Sequence, residues 1–546
     1  MKPTKSALAM AIATLSMSIS ANDNVKGAFD GLGSASAWDR FVDDSSLNLR
    51  LRANHFNLEP KRGEIKTDLT AAEMTELVST LSKNNKAEAR EILQNFAPAV
   101  AESPLNQTNA SSDDLLESWL ASDEALRAVA PHSFASASYL GSVNKSLAVS
   151  ATNAVKTDGD VNQGGVALWT HFKSGYLFDV IGFDLGTQSA KVLYNKGTGT
   201  QIAVKDSNDE LKKTMNRIAI ANIKMRFGDN DRHLALRTGK MELNTIHFKR
   251  DPDEWLLDKN FKATSVNGKW DNLNVYGLAV TGLGDVDNEK FTYIRDNENF
   301  AKADFDKTYS LGADYSSEYG SAGIASTWSK NYMRSNTISV ESGIPLSWMG
   351  FDIDAEQDQD YLMIWSARYN WQEADNDFLI NGINKPDHKA HSSAFMLGLK
   401  ADALFVGVSM LNVSKQGFYD AGIGGGGQSN ILADETLIND FNKPGQNTLT
   451  GLISYDWTNM GFPGLTTNLI SAQASDIDMT QVLENGDTGY YLTGQKKFHE
   501  TLMDINYAWQ DGPFKGLSAR AVAGLETNQA SLKGSGFFLT YDMALF

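Results

Sequence analysis

The sequence predicts an all-β fold: a transmembrane antiparallel β-barrel of about 18 strands, with a partly helical insertion between strands 1 and 2. Three observations carry this. From about residue 160 onward, apolar and polar residues alternate in segments of roughly ten residues, the length a tilted strand needs to cross a bilayer. Between those segments, short turns take turns with long loops. The first residues have the layout of an export leader, and no later run of about 18 apolar residues offers a membrane helix.

The leader is "MKPTKSALAMAIATLSMSISAND", with Lys2 and Lys5 ahead of an apolar stretch and the small residues Ser18, Ser20 and Ala21 at its end. Residues 1–21 are the expected signal peptide, and 22–57 hold an N-terminal segment and the first strand. Residues 58–160 break the two-residue period. Thr70 and Glu73 have the spacing of a capping box, followed by Met74, Leu77, Val78 and Leu81 at helical intervals. Leu115, Leu116, Trp119 and Leu120 repeat the pattern. With both termini on the short-turn side, strand 1 leads outward, so this insertion is expected as extracellular loop 1, either capping the mouth or dipping into it.

Residues 161–546 form the remainder of the barrel. "KTYSLGADY" sets Tyr309, Leu311, Ala313 and Tyr315 against Ser310 and Asp314, and "YLMIWSARYNWQ" sets Met363, Trp365, Ala367, Tyr369 and Trp371 against Ser366, Arg368 and Asn370. "GLISYDWT" (451–458) and "MDINYAWQ" (503–510) behave alike, with Tyr and Trp at the ends of their apolar faces, as an aromatic girdle requires. Short links at 400–404, 458–464 and 510–516 alternate with long ones at 284–306, 414–446 and 474–497. The chain ends in "GSGFFLTYDMALF", where Tyr541, Met543 and Leu545 continue a lipid-facing alternation and Phe546 falls one step out of register.

Composition narrows the function. A formal net charge of −18 disfavours nucleic acid, which binds through excess Lys and Arg. There is no Cys, so no disulfide or thiolate metal site exists. "HKAH" (388–391) lacks a third ligand nearby. "GIGGGG" (422–427) has dinucleotide-motif spelling but no helix pattern behind it. No cofactor and no metal is expected.

Several blocks resemble the OprD-type outer-membrane porins, a family that includes the chitoporins. They are "FVDDSSLNLRLRANHFN" (41–57), "SGYLFDVIGFDLG" (174–186), "ALRTGKMELNT" (235–245) and "DNLNVYGLAVTG" (271–282). The most specific are the block from Gly424 to Thr466 and "DINYAWQDGPFKGLSARAVAG" (504–524). The likeness covers 41–57 and 163–546 but not the insertion. It implies a monomer or loose homotrimer in outer-membrane lipid that passes small solutes, constricted by inward-folded third and seventh loops. Asp251, Asp253 and Glu254 of "DPDEW", and Gly424, Gly425 and Gly426, would then be constriction-loop residues. On its own spelling, the acidic run binds a cation or faces water.

Parity places Arg52, Arg237, Arg368 and Arg520 inside the lumen, since Leu51, Leu236, Ala367 and Ala519 are their outward neighbours. Lys224 and Arg226 join them when Met225 and Phe227 face lipid. A lipid-facing Arg near the midplane costs roughly 2–4 kcal/mol, so parity is a strong constraint. These cations either line the solute path or pair with acids such as Asp314, Asp456 and Asp504. The expected function is substrate-selective, passive diffusion of small hydrophilic solutes (amino acids, carboxylates or short oligosaccharides) across the bacterial outer membrane. A barrel-based protease or lipase is the alternative, and eight mostly isolated histidines argue against it.

Overall fold

The computed structural model describes residues 41–60, 161–196, 213–229, 231–248, 255–284, 289–291, 307–318, 320–330, 332–351, 361–375, 378–380, 383–418, 441–485, 496–527 and 532–545. The leader, residues 61–160 of the insertion, Asp251, Asp253, Glu254, Gly424, Gly425, Gly426 and Phe546 lie outside the described residues.

In chain order the strands are β1 (Ser46–Pro60), β2 (Val161–Lys173), β3 (Ile181–Asn195), β4 (Thr214–Gly228), β5 (Arg232–Met241), β6 (Asn260–Trp270) and β7 (Leu273–Gly284). Then come β8 (Thr308–Ser317), β9 (Gly320–Ser329), β10 (Met333–Pro345), β11 (Tyr361–Ala374), β12 (Leu379–Ile380), β13 (Ile383–Asn384) and β14 (Lys389–Ala401). The last are β15 (Leu404–Val413), β16 (Asn447–Asp456), β17 (Leu465–Ser475), β18 (Phe498–Ala508), β19 (Leu517–Thr527) and β20 (Leu532–Ala544). All but β12 and β13 join one 18-stranded antiparallel sheet, and β1 pairs with both β2 and β20, so the sheet closes. A closed sheet leaves no unpaired edge, which is why strands can cross lipid at all.

The faces are set by the two-residue period. Ile223, Leu311, Met410 and Met503 are 55%, 57%, 61% and 50% exposed, a surface that only lipid can cover. Their neighbours Lys224, Ser310, Ser409 and Asp504 point inward and are buried. Aromatic pairs mark both borders of the apolar band: Tyr309 with Trp328 and Tyr369 with Trp371 toward the long loops, Tyr455 with Trp457 and Tyr507 with Trp509 toward the short turns.

Strand tilt is visible in the register. One row of paired residues starts at Arg232, at the short-turn end of β5, and passes Trp270, Leu273 and Tyr315. It continues through Ala367 on β11 and finishes at His499 and Thr527, at the long-loop ends of β18 and β19. Asp271 and Asp402 open two-residue turns with φ of 51° and 52°, a left-handed conformation that Asp tolerates. The turn asymmetry has three exceptions: only 330–332 link β9 to β10 and only 528–531 link β19 to β20 on the long-loop side, whereas 346–360 make a long link from β10 to β11 on the short-turn side. The loop 375–388 carries the β12–β13 hairpin, and 476–497 carries α1 (Met479–Glu484), capped by Asp478; neither is signalled by the two-residue period.

Candidate functional site: a lumen held by one loop at two walls

The core of the molecule lies inside the barrel, and the loop after β5 supplies much of it. At one end of that loop, His247 is buried between two strands of the wall. Its Nδ1 lies 2.7 Å from Thr327 Oγ1 on β9, and its Nε2 lies 2.8 Å from Thr337 Oγ1 on β10. Thr337 donates onward to Asn370 on β11, and Thr327 to Ser310 on β8. Leu243 and Phe248 join Met241, Phe261, Tyr276 and Leu278 in an apolar cluster on the β5–β7 wall.

At its other end the same loop reaches the wall built by β1 to β4. Arg52 Nη1 donates to Trp255 O at 2.8 Å and Asn54 Nδ2 to the same oxygen at 3.2 Å. Trp169 Nε1 donates to Leu256 O at 3.0 Å. Arg217 is the deepest anchor. It donates to Gln188 Oε1 from Nε and Nη2, and from Nη2 also to Asp258 O and Asn260 Oδ1. Leu256 and Leu257 are 0% exposed and pack with Phe56, Trp169, Val192 and Phe538. Gly165 permits this approach, since a Cβ there would sit 2.4 Å from Leu256 Cδ1. In an 18-strand ring β1 and β10 are diametrically opposed, so one loop is fastened to both sides of the lumen.

The cations expected inside fall into three sectors. Lys224 and Arg237 are direct partners on β4 and β5, and both address the buried Asp184, at 2.8 and 3.9 Å. Arg226 and Lys224 lie over the Tyr176 ring at 4.5 and 5.0 Å. Two cation–π contacts and a shared carboxylate hold three positive groups against one described acid. In the second sector Arg52 stacks over Trp169 at 4.2 Å and Arg50 at 5.3 Å. Arg50 also forks onto Asp542, and Arg520 pairs with Asp504 at 3.1 Å. Arg520 lines a cavity of about 680 Å³ with Asn506, Thr466 and Thr540. In the third sector Arg368 is buried on β11, in a lumen-facing column with Ser366, Asn370 and Gln372.

Of the acids that parity offered as partners, Asp504 takes that role. Asp456 instead accepts from the Thr458 amide and hydroxyl at its own turn. Asp184, the partner of Lys224 and Arg237, was not singled out in the sequence. Nor were Arg217, Trp169 and His247. Among the described residues, no group of three or more His, Cys, Asp or Glu comes together.

A closed, lipid-faced barrel whose lumen is narrowed by an inward loop defines a transmembrane channel. A family model described as "outer membrane porin, OprD family" matches residues 145–535. Porin D of Pseudomonas aeruginosa is 36% identical over 106 residues, which is 19% of this chain and 24% of that relative. The aligned stretch thus spans about a quarter of the relative's length. Among solved structures, Acinetobacter baumannii OccAB1 superposes with a TM-score of 0.64 at 14% identity, covering 93% of this chain and 98% of that one. Pseudomonas aeruginosa OccK9 gives 0.61 at 14% identity, covering 92% and 100%. The vanillate complex of Pseudomonas aeruginosa OpdK gives 0.59 at 12% identity, with the same coverage. The chain belongs to the OprD family of outer-membrane porins.

Proposed function

We propose that this protein is a substrate-selective porin for passive diffusion of small hydrophilic solutes, and that its lumen cations favour solutes bearing a carboxylate. The observation that carries the reading is the loop 242–259, fastened to opposite walls beside Arg52 on one side, with the Lys224, Arg226 and Arg237 cluster on the strands flanking its start. A channel selects by width and field at its narrowest level, and a row of weak sites lets a solute enter without being trapped. An arginine fork holds a carboxylate through two hydrogen bonds. Asp251, Asp253 and Glu254 belong to the six residues joining the two anchors, so they are proposed to add an acidic rim opposite the cations. Gly424, Gly425 and Gly426 belong to the loop after β15, proposed as the second constriction. The insertion leaves β1 and re-enters β2 at the long-loop end, which supports an extracellular position. A monomer or a loose homotrimer fits a barrel whose described outer face is mostly apolar.

The OpdK complex makes vanillate, an aromatic carboxylate, a reasonable first probe. The test is single-channel recording in planar bilayers with vanillate, glutamate and a chito-oligosaccharide as blockers. Wild type and Arg237→Ala with Arg368→Ala are compared for reversal potential under a salt gradient. Loss of carboxylate block and a shift toward cation permeability are expected in the double variant. Unchanged permeability would make these arginines structural partners and leave selectivity to the loops.

A further inference from the structure

The lipid-facing side of β5 and β6 carries a polar patch that the channel does not use. Lys240 and Lys262 are direct partners in the β5–β6 register and share the outward face. The next outward pair, Thr238 and Thr264, is joined by a hydrogen bond of 3.0 Å between the hydroxyls. Beyond them the face returns to apolar residues, with Val266 and Ile223 exposed. Lys240 Nζ donates to Ile218 O at 3.3 Å and lies 4.6 Å from the centre of the Phe291 ring. Its direct cross-strand partner, Lys262, is positive as well. Among the described residues, neither lysine forms an ion pair.

Two like charges set directly opposite each other oppose pairing of their strands. A lysine facing lipid is tolerable near the interface and costly at the midplane. The height of the pair therefore matters, and the register gives it. Thr264 shares a row with Ala279 and Tyr309, and Tyr309 stacks on Trp328 in the long-loop girdle. With strands about 4.8 Å apart and tilted about 40°, that row drops about 6 Å between Tyr309 and Thr264. Lys262 lies two residues nearer the long loops, which regains about 5 Å. The pair thus stands at girdle height, where headgroups of the outer leaflet lie, and lysine stems can reach further out.

We propose that Lys240 and Lys262 form a binding site for a phosphate group of an outer-leaflet lipid. A phosphate carries the negative charge that the pair lacks, and its oxygens accept from both ammonium groups at once. Of the two threonine hydroxyl protons, one is used within the pair and the other remains to donate outward. Elsewhere on this rim the charges are already balanced: Arg334, Glu373 and Lys389 are successive partners on β10, β11 and β14, with the carboxylate in the middle. The occupant is a lipid rather than free phosphate because the patch opens onto the bilayer, with apolar neighbours below it that acyl chains would cover.

The test uses the purified full-length protein in detergent and native mass spectrometry of lipid adducts. The probes are a bisphosphorylated hexa-acyl lipid A and the same lipid without phosphates. Wild type is expected to bind the phosphorylated lipid more tightly. Lys240→Gln with Lys262→Gln is expected to bind it about thirtyfold more weakly at low salt, from the attraction of two lysines near a charged surface. Its binding of the dephosphorylated lipid should not change. Arg334→Gln with Lys389→Gln should alter binding less than threefold. Heat-modifiable migration and single-channel conductance report folding. If the double variant fails to fold, Lys262→Gln alone and a salt titration of wild type replace it, and both should weaken binding several-fold. Equal binding by the double variant, or equal binding of the two lipids by wild type, would overturn the proposal. Complete displacement of lipid by millimolar inorganic phosphate would assign the site to the free ion instead, and would equally overturn it.

Discussion

Removing the deepest anchor of the inward loop 242–259 should open the channel without unfolding the barrel. Among its contacts with described residues, Arg217 donates four hydrogen bonds to three acceptors, of which Asp258 O and Asn260 Oδ1 fasten the end of the loop. In Arg217→Ala both lose a charged donor, and Gln188 Oε1 keeps only the Asp258 amide, at 3.3 Å. A hydrogen bond to a charged group contributes about 1.5–3 kcal/mol, so a net loss of about 3 kcal/mol is a conservative reading of two. That shifts the docked-to-released ratio of the segment by about 150-fold. The strand ladders of the wall are untouched, so the unfolding temperature on heat-modifiable gels should stay within a few degrees. In planar bilayers, single-channel conductance should rise, with added open-channel noise and loss of discrimination between solutes. Arg217→Lys separates geometry from charge: it keeps the positive charge but cannot fork onto three acceptors, so it should show most of the effect. If Arg217→Ala conducts and selects like wild type, the loop is held elsewhere and the anchor reasoning is refuted.

The opposite anchor should behave similarly: His247→Ala leaves Thr327 and Thr337 without the imidazole and should raise conductance, and combining it with Arg217→Ala should give less than the sum, because both release one segment. Equal, fully additive effects would indicate two independent elements. Ile223→Arg places a charge on the lipid face at a residue 55% exposed, and should lower barrel stability in lipid by roughly 2–4 kcal/mol if this is the midplane; a neutral outcome would mean the position lies at the border. Burial pushes the His388 imidazole, in the loop before β14, from 6.5 down to about 4. The unfolded loop then binds the extra proton between those values, so the loop's stability is full above pH 6.5 and falls as pH drops toward 4. Amide exchange around Lys385–His388, corrected for intrinsic rate, should quicken between pH 7 and 5, and His388→Phe should abolish the change; a flat profile in wild type would contradict the assignment.

The barrel was legible because lipid outside and polar groups inside force a two-residue period that survives in single segments such as 307–315 and 361–372. The same parity placed Arg52, Arg368 and Arg520 inward. Arg217 escaped it because the β3–β4 register shifts at Gly186/Thr187, where Ala219 has no partner. Counting back from Lys224 by twos lands on Ile220 and Ile218, which would turn Arg217 outward; the bulge reverses the faces. His247 escaped for another reason. Its partners Thr327 and Thr337 lie 80 and 90 residues away, and the contact depends on the path of a loop, which periodicity does not encode. Trp169 shares the inner face with Ala167, opposite exposed Val166 and Leu168, but its role as a platform for Arg52 depends on a cross-strand contact that periodicity does not encode.

The pairing of β1 with β20 joins residues such as Arg50 and Asp542, which are 492 positions apart. Neighbouring hairpins close over a few residues, whereas this seam closes over almost the entire chain. On the loop-closure scale the difference, from about 10 to about 500 residues, costs roughly 3 kcal/mol of extra entropy. The seam should therefore form last, after the other strands are already in register. Until then β1 and β20 present bare edges that can template pairing with another chain. Assembly is a race between the two ends of one polypeptide and any stranger that meets either first. Once thirteen paired positions on each side have zipped, no single strand can peel away without breaking two ladders, so the barrel's persistence is a matter of barrier height.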